Sequence, residues 1–140
     1  MREIKFRGKD LNTGEWAYGD LHTLCDHPHI HTEVTSFPFA GKRSFVNPDT
    51  IGQYTGLKDN NGKEIYEGDI VSYIITTGGI ASEKIPASVA HLVHYDNKHA
   101  TFKIGYHSAN YGTMKEVVDA GNLVVIGNKY DNPKLLKSEI

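Results

Sequence analysis

The sequence predicts a mainly β protein: a small SH3-like barrel with additional β-strands and one or two short helices. Three observations support this fold class. Glycine and tyrosine are frequent, with 14 and 8 copies among 140 residues. Short segments with a two-residue alternation are separated by turn dipeptides, and no long stretch has the 3.6-residue apolar period of a helix. Short strands joined by glycine-rich turns favour a small barrel or sandwich.

Several segments have the alternation or the short apolar run that is typical of strands. In the second of them, Trp16, Tyr18 and Asp20 are expected on one side and the intervening residues on the other. Two later segments are expected to form a hairpin joined by residues 96–99. The predicted strands are 4–7, 15–24, 29–37, 69–76, 87–95, 101–106 and 123–127.

Two short helices are predicted late in the chain. Thr113 and Glu116 have the spacing of a capping box, and Gly121 would end that helix. Asn132 followed by Pro133 predicts the start of a second helical turn, because proline suits the first helical position. Neither helix is long enough to change the fold class.

The most turn-rich part of the chain is IGQYTGLKDNNGKEIYEGDIV, residues 51–71. Asn61-Gly62 predicts a tight turn, and Gly68-Asp69 predicts a strand that starts at a backbone bend. Glu64, Glu67 and Asp69 suggest an acid/base or metal cluster, but their alternation puts Glu64 out of phase with the other two. We therefore expect these acids to act mainly in turns.

Residues 12–21 (NTGEWAYGDL) and 61–70 (NGKEIYEGDI) resemble each other. The simplest interpretation is a recurring device, in which a turn precedes a strand that bends at glycine and an aspartate holds nearby backbone amides. A duplicated β-unit is the alternative.

Composition argues against several classes of protein. The formal net charge of −2 lacks the basic excess of a dedicated duplex-binding protein. The single cysteine, Cys25, rules out an intramolecular disulfide scaffold and indicates a reducing compartment. The first residues are charged, unlike a secretory signal, and the apolar runs are too short to span a bilayer. We expect a cytoplasmic protein with no membrane partner.

Residues 25–31 (CDHPHIH) are the strongest candidate for metal chemistry. If this segment forms a strand, Cys25, His27, His29 and His31 share a face, and both residue types are good zinc ligands. The proline inside the segment is expected to interrupt such a strand, and metal sites usually take ligands from two elements. We therefore favour a solvated histidine-rich loop and predict no metal, no other cofactor and no catalytic residue. A metal-dependent enzyme that uses residues 25–31 ranks third among the functions.

A set of cations interleaved with aromatic residues suggests a surface on which nucleic-acid bases could stack. The alternative is that the aromatic residues are core and the lysines only solubilise the protein. The candidate binding surface consists of Lys42, Arg43, Tyr54, Lys58 and Lys63, with Phe45 beside them.

Three blocks of sequence carry a resemblance to a known family. They are REIKFRGK at 2–9 with GEWAYGDL at 14–21, NPDTIGQYTGLKDNNGKEIYEGDIV at 47–71, and VIGNKYDNPKLL at 125–136. Through them the chain resembles the YopX family of phage and prophage proteins over its whole length. Residues 22–46 and 76–122 match no pattern, so recognition of a specific partner is expected there.

The resemblance implies a β-rich fold with an SH3-type barrel, self-association and no established catalytic residues. We expect residues 1–140 to form a single YopX-like domain, with a two-lobed organisation, 1–50 and 51–140, as the alternative. The expected function is that of a non-enzymatic phage or prophage accessory protein that binds itself, as a homo-oligomer, and an unidentified host or phage protein. A nucleic-acid-binding regulator of phage development ranks second.

Overall fold

The structure, a computed structural model, describes residues 2–32, 42–73, 90–98, 100–104, 114–119 and 123–138. The described chain is mainly β, as predicted, with ten strands and very little helix. The chain divides into two compact units, residues 1–56 and residues 57–140.

The strands of the first unit are short and closely spaced along the chain, and the last of them continues two residues beyond the unit. A single turn of 3₁₀ helix, Pro48–Thr50, precedes that last strand. The strands are β1 (Phe6–Lys9), β2 (Trp16–Leu24), β3 (His27–His31), β4 (Arg43–Phe45) and β5 (Gly52–Lys58).

The second unit contains the remaining strands and the helices. Its strands are β6 (Glu64–Tyr66), β7 (Asp69–Tyr73), β8 (His91–Asp96), β9 (Thr101–Ile104) and β10 (Leu123–Asn128). Its helical segments are α1 (Met114–Asp119) and a 3₁₀ helix (Pro133–Ser138).

The first unit is built on an antiparallel sheet in the order β4-β3-β2-β1-β5. One face of this sheet forms the core, where Ala17, Ile30 and Val46 are buried and Phe6 and Leu21 pack against them. The side chains of β2 alternate as the sequence predicted, because Ala17 and Leu21 belong to this core whereas Tyr18 is exposed. Burial of these apolar side chains is the main force that stabilises the unit.

The second unit contains an antiparallel sheet in the order β10-β7-β8-β9. The predicted hairpin is confirmed, because Val93 of β8 pairs with Ile104 of β9 and Asp96 pairs with Thr101. The buried core residues come from five strands and are Ile65, Val71, Val93, Ile104, Leu123 and Val125.

The predicted turn devices of the central block are also confirmed. Gly62 adopts a φ of 82°, which favours glycine, and closes a turn in which the Asp59 N–H donates to the Lys63 carbonyl at 2.8 Å. Gly68 has a φ of 92° immediately before β7 begins at Asp69. The Tyr66 N–H donates to the Asp69 carboxylate at 2.8 Å, so this aspartate does hold a neighbouring backbone amide.

The predicted SH3-like barrel is not confirmed, because neither sheet is closed in the described residues. The nearest approach to closure is an isolated bridge between Asp10, which follows β1, and Val46, which follows β4. Sequence reasoning also missed β4, β5 and β6, because β4 and β6 have only three residues each and two glycines interrupt the pattern of β5. The expected interruption at Pro28 is wrong: Pro28 lies inside β3, opposite Thr23, and its carbonyl accepts a hydrogen bond from the Val46 N–H.

Parts of several predicted elements, residues 33–37, 74–76, 87–89 and 105–106, lie outside the described residues, as do Thr113 and Gly121. The predicted helix between those two positions is present as α1, and Pro133 begins the last 3₁₀ helix. Within the described ranges, no helix has the length and apolar character needed to cross a membrane.

Candidate functional site

The face of the first sheet opposite its core carries a group of histidine, charged and aromatic side chains. The pairing register aligns Asp20, His31 and Arg43 across β2, β3 and β4, and His22, His29 and Phe45 beside them. Because paired residues in a sheet project to the same side, both rows lie on one face. We call this surface the outward face.

Three imidazole rings from two strands meet on the outward face. The ring centroids of His22 and His31 are 4.4 Å apart, those of His29 and His31 are 4.9 Å apart, and those of His22 and His29 are 5.7 Å apart. The Nε2 atoms of His29 and His31 are 3.0 Å apart, which is hydrogen-bond distance. We call His22, His29 and His31 the histidine cluster.

A two-residue turn creates the histidine cluster. Cys25 and Asp26 both adopt positive φ angles, 50° and 65°, so β2 and β3 form a tight hairpin whose turn has the twist that hairpins favour. This hairpin pairs Leu24 with His27 and therefore His22 with His29. Sequence reasoning missed His22 because Cys-Asp is not a usual dipeptide for such a turn. A two-residue turn centred on these residues would have pointed to His22.

Gly19 permits the close approach of β3 to β2 beside the cluster. A Cβ atom built on Gly19 would lie 1.9 Å from the carbonyl oxygen of His31, and its φ of 154° is one that other residues rarely adopt. Only a residue without a side chain fits here. The sequence predicted a strand bent at this glycine, and the contact with His31 gives its physical reason.

The members of the histidine cluster differ in their access to water. The His22 side chain is exposed, that of His31 is half-buried, and that of His29 is only 4% exposed, with its ring centroid 5.4 Å from that of Phe45. Among the described residues, the buried Nδ1 atom of His29 has no hydrogen-bond partner. A buried polar atom without a hydrogen-bond partner is uncommon, because it loses its bonds to water without replacing them.

Burial and nearby positive charge disfavour a proton on His31. Desolvation lowers the pKa of the His31 imidazole, and charge on His22, His29 and Arg43 lowers it further, whereas Asp20 acts in the opposite direction. The neutral imidazole is therefore the favoured form of His31 in the folded protein.

A second cluster on the outward face combines cations with an aromatic ring. The guanidinium carbon of Arg7 lies 4.5 Å from the centre of the Trp16 ring, and the Lys9 ammonium lies 5.4 Å from the same centre. Both distances are within the range of cation–π attraction. Arg7 is only 4% exposed, so this arrangement stabilises a buried charge within the fold.

The residues of the candidate binding surface do not all come together. Lys42 and Arg43 are adjacent and exposed at β4. Tyr54 is in β5, separated from β4 by three strands in the sheet order, and is only 4% exposed, with the Lys5 ammonium 5.3 Å from its ring centre. Lys58 and Lys63 are exposed residues of the second unit.

The acidic residues of the central block serve the fold of the second unit. Asp59 Oδ1 accepts from the backbone N–H groups of Asn61 and Lys63, and Asp59 Oδ2 accepts from that of Val125. Glu64 accepts from the Tyr66 hydroxyl at 3.2 Å. Asp69 has the turn role that the sequence predicted, whereas Glu64 bonds a side chain. Asp59, which accepts from three backbone N–H groups, was not singled out.

Residues 25–31, the candidate metal segment, form the turn and the second strand of the β2–β3 hairpin. Cys25 and His27 are exposed, and His27 lies across from Leu24 rather than within the histidine cluster. In the part of the chain that the structure describes, no group of three or more His, Cys, Asp or Glu side chains has an arrangement that could hold a metal ion.

Comparison with known proteins gives a fold and a family. A crystal structure of protein EF1440 from Enterococcus faecalis is similar to this chain, with 26% sequence identity and a TM-score of 0.59. The similarity covers 97% of this chain and 99% of EF1440. None of the curated proteins matches this chain. The model of the YopX protein family matches residues 5–137. The chain therefore belongs to the YopX family.

Proposed function

We propose that this chain is a non-catalytic accessory protein of a phage or prophage that acts in the host cytoplasm by binding protein. Its first partner is a second copy of itself, and its second is an unidentified host or phage protein. Membership of the YopX family supports the phage setting. The surface chemistry of the first unit supports the binding role.

The observation that carries the proposal is an exposed apolar rim at the end of the first sheet. The Leu11 N–H donates to the Phe45 carbonyl at 2.9 Å, so these residues are neighbours, and their side chains are 62% and 40% exposed. Arg43 is exposed on the same strand as Phe45. Aromatic residues and arginine are enriched in protein interfaces and among the residues that contribute most to binding.

The position of β4 adds a second reason. Among the described strands, β4 is the end member of its sheet, and its one described strand partner is β3. The outer edge of β4 is bonded at the Phe45 carbonyl to the Leu11 N–H, so a strand of another chain would pair with it around Arg43. Such pairing between identical chains produces a symmetric dimer when the same edge is used twice.

The roles of the central acids argue against these residues as catalytic groups. Asp59 and Asp69 use their carboxylates to hold backbone amides, and Glu64 accepts the Tyr66 hydroxyl. A general acid or base must reach its substrate with the group that transfers the proton. Carboxylates engaged in this way stabilise turns instead.

Size-exclusion chromatography with light scattering tests the proposal. The wild-type protein is expected to give a discrete oligomer whose mass is the same at low and high salt, since an apolar interface depends little on ionic strength. The Leu11→Lys variant is expected to shift toward monomer. Ile126→Lys is the matched control, because Ile126 is also an exposed aliphatic residue, at 39%, but lies on β10 of the second unit. A wild-type monomer at all concentrations would contradict self-association.

The same experiment separates the second-ranked function. Lys42 and Arg43 are adjacent exposed cations, which favours contact with a phosphate backbone. A monomer that shifts with mixed-sequence DNA or RNA only at low salt would replace the proposed protein-binding function with that of a nucleic-acid-binding regulator. Loss of that shift in a Lys42→Gln, Arg43→Gln double variant would then locate the contact.

A further inference from the structure

We propose that the histidine cluster is a proton-operated latch on the β2–β3 hairpin. The latch holds β3 against β2 while the imidazoles are neutral, and it loosens the hairpin when they take up protons. This inference does not depend on the proposed function.

The geometry places three titratable rings on two adjacent strands. His22 comes from β2, and His29 and His31 come from β3, so their contacts are part of what holds this hairpin together. The ring contacts of His22 with His29 and His31 cross the pairing of β2 with β3, whereas the His29–His31 contact lies within β3, so charge on these rings acts on the pairing through His22.

The contact between His29 and His31 exists only in some protonation states. Their Nε2 atoms are 3.0 Å apart, so one nitrogen must donate a hydrogen and the other must accept it with a lone pair. A doubly protonated imidazole has no acceptor nitrogen. When both rings are protonated, two N–H groups and two positive charges face each other, and the hydrogen bond becomes a repulsive contact.

The surroundings of the cluster add to this repulsion. Arg43 of β4 pairs with His31 and contributes a permanent positive charge, and His22 of β2 lies 4.4 Å away in centroid distance. Asp20 of β2 also pairs with His31 and is the opposing acid among the described residues that act on this ring. One carboxylate faces three imidazoles and a guanidinium, so full protonation leaves an excess of positive charge.

Burial of His29 makes the state with several charges costly. Its side chain is 4% exposed, its ring lies against Phe45, and its Nδ1 has no partner among the described residues. A charge placed there loses its water of hydration without gaining a counter-ion. Opening the hairpin restores water to the ring and relieves this cost.

The direction of the pH effect follows from His31. Its pKa is lowered by burial and by the neighbouring charges on His22, His29 and Arg43. The unfolded chain therefore binds a proton at this site at a higher pH than the folded chain does. Stability is full above the ordinary imidazole pKa of 6.5 and decreases as the pH falls from that value to the lower pKa of the folded state.

Thermal unfolding of variants tests the latch. The melting temperature is measured by circular dichroism at about pH 7.5 and about pH 5, on either side of the ordinary imidazole pKa, with EDTA present. The wild-type protein is expected to lose several degrees at the lower pH. His29→Phe is expected to lose less, because phenylalanine keeps an aromatic ring beside Phe45 but removes the charge on His29 that lowers the pKa of His31. His27→Gln is the control, since His27 is an exposed residue of the same strand outside the cluster, and it is expected to behave as the wild type does.

A second measurement keeps the latch testable if His29→Phe fails to fold. In NMR spectra of the wild-type protein, the backbone amides of β2 and β3 are expected to shift over the same pH range as the ring resonances of His31. Equal losses of melting temperature in the wild type and His29→Phe would overturn the proposal, as would ring titrations that leave those amides unchanged. A pH dependence that disappears when EDTA is added would also overturn it, in favour of a bound metal ion.

Discussion

The carboxylate of Asp59 fastens the central turn of the second unit to a strand 66 residues further along the chain. Its Oδ2 accepts from the Val125 N–H of β10 at 3.0 Å, while its Oδ1 accepts from the N–H groups of Asn61 and Lys63 at 2.8 and 2.9 Å. Asp59 is 7% exposed, so these amides would lack a partner if the carboxylate were removed. One side chain thus closes a turn and positions it against the core.

Replacement of Asp59 tests this role. We expect Asp59→Ala to lower the free energy of unfolding by about 2–4 kcal/mol, because buried amides would lose hydrogen bonds to a charged acceptor. Urea denaturation measures the change. Asp119→Ala is the control: its exposed i,i+4 pair with Lys115 is worth about 0.5 kcal/mol or less. An Asp59→Ala variant as stable as Asp119→Ala would contradict the role assigned to Asp59.

The same carboxylate predicts a dependence on acid. Burial raises the pKa of Asp59, but hydrogen bonds from the amides of Val125, Lys63 and Asn61 outweigh it and hold the pKa below its ordinary value of 3.8. This contribution to stability is fully present above the pKa of the unfolded chain and is lost as the pH falls through the folded value. The wild-type protein should therefore lose more stability than Asp59→Asn between about pH 5 and pH 2. Equal losses over that range would contradict the prediction.

Replacement of two glycines of the first unit compares the cost of a steric clash with the cost of a positive φ angle. Gly19→Ala is expected to prevent the pairing of β2 with β3, because the new Cβ would lie 1.9 Å from the His31 carbonyl oxygen. Gly14→Ala meets no atom within 4 Å but retains a φ of 72°, so it should cost only about 1–2 kcal/mol. Expression as soluble protein and circular dichroism distinguish the two. Comparable stability for both variants would show that β3 does not approach Gly19 as described.

Replacement of a buried isoleucine of the first unit, compared with replacement of an exposed one, tests the assigned core. Ile30 is fully buried, and Ile30→Ala should lower the free energy of unfolding by about 2–5 kcal/mol. Ile4 is 60% exposed, and Ile4→Ala should change it by no more than about 0.5 kcal/mol. Chemical denaturation of both variants checks the difference. Similar effects would mean that Ile30 does not form the core of the sheet.

The β class and several of its elements were readable from the sequence because alternation and turn chemistry are local properties. The strand at Trp16–Leu24, the bend at Gly68-Asp69 and the hairpin of β8 with β9 all depend on neighbouring residues. The short strands β4 and β6 were not predicted, because segments of three residues carry almost no periodic signal. Closure of a barrel depends on contacts between distant strands, which the pattern of residues does not specify.

The candidate site was only partly predictable for the same reason. His29 and His31 share a face, as their spacing indicated, but the third ring comes from β2. His22 joins them because Cys25 and Asp26 both adopt positive φ, and this conformation is usually signalled by Asn-Gly. Tyr54, chosen as a stacking surface, is only 4% exposed. Burial is a property of the whole fold, so an isolated aromatic residue does not reveal it.

The bridge between Asp10 and Val46 has a consequence for synthesis of the chain. β1 and β2 can pair as soon as they leave the ribosome, but Val46, which contributes to their core, is translated 36 residues after Asp10. At about 5–20 residues per second, this delay is on the order of seconds. During that interval the core to which Phe6, Ala17 and Leu21 belong lacks Val46. Slow codons within residues 22–46 would therefore lengthen the time for which this core is incomplete.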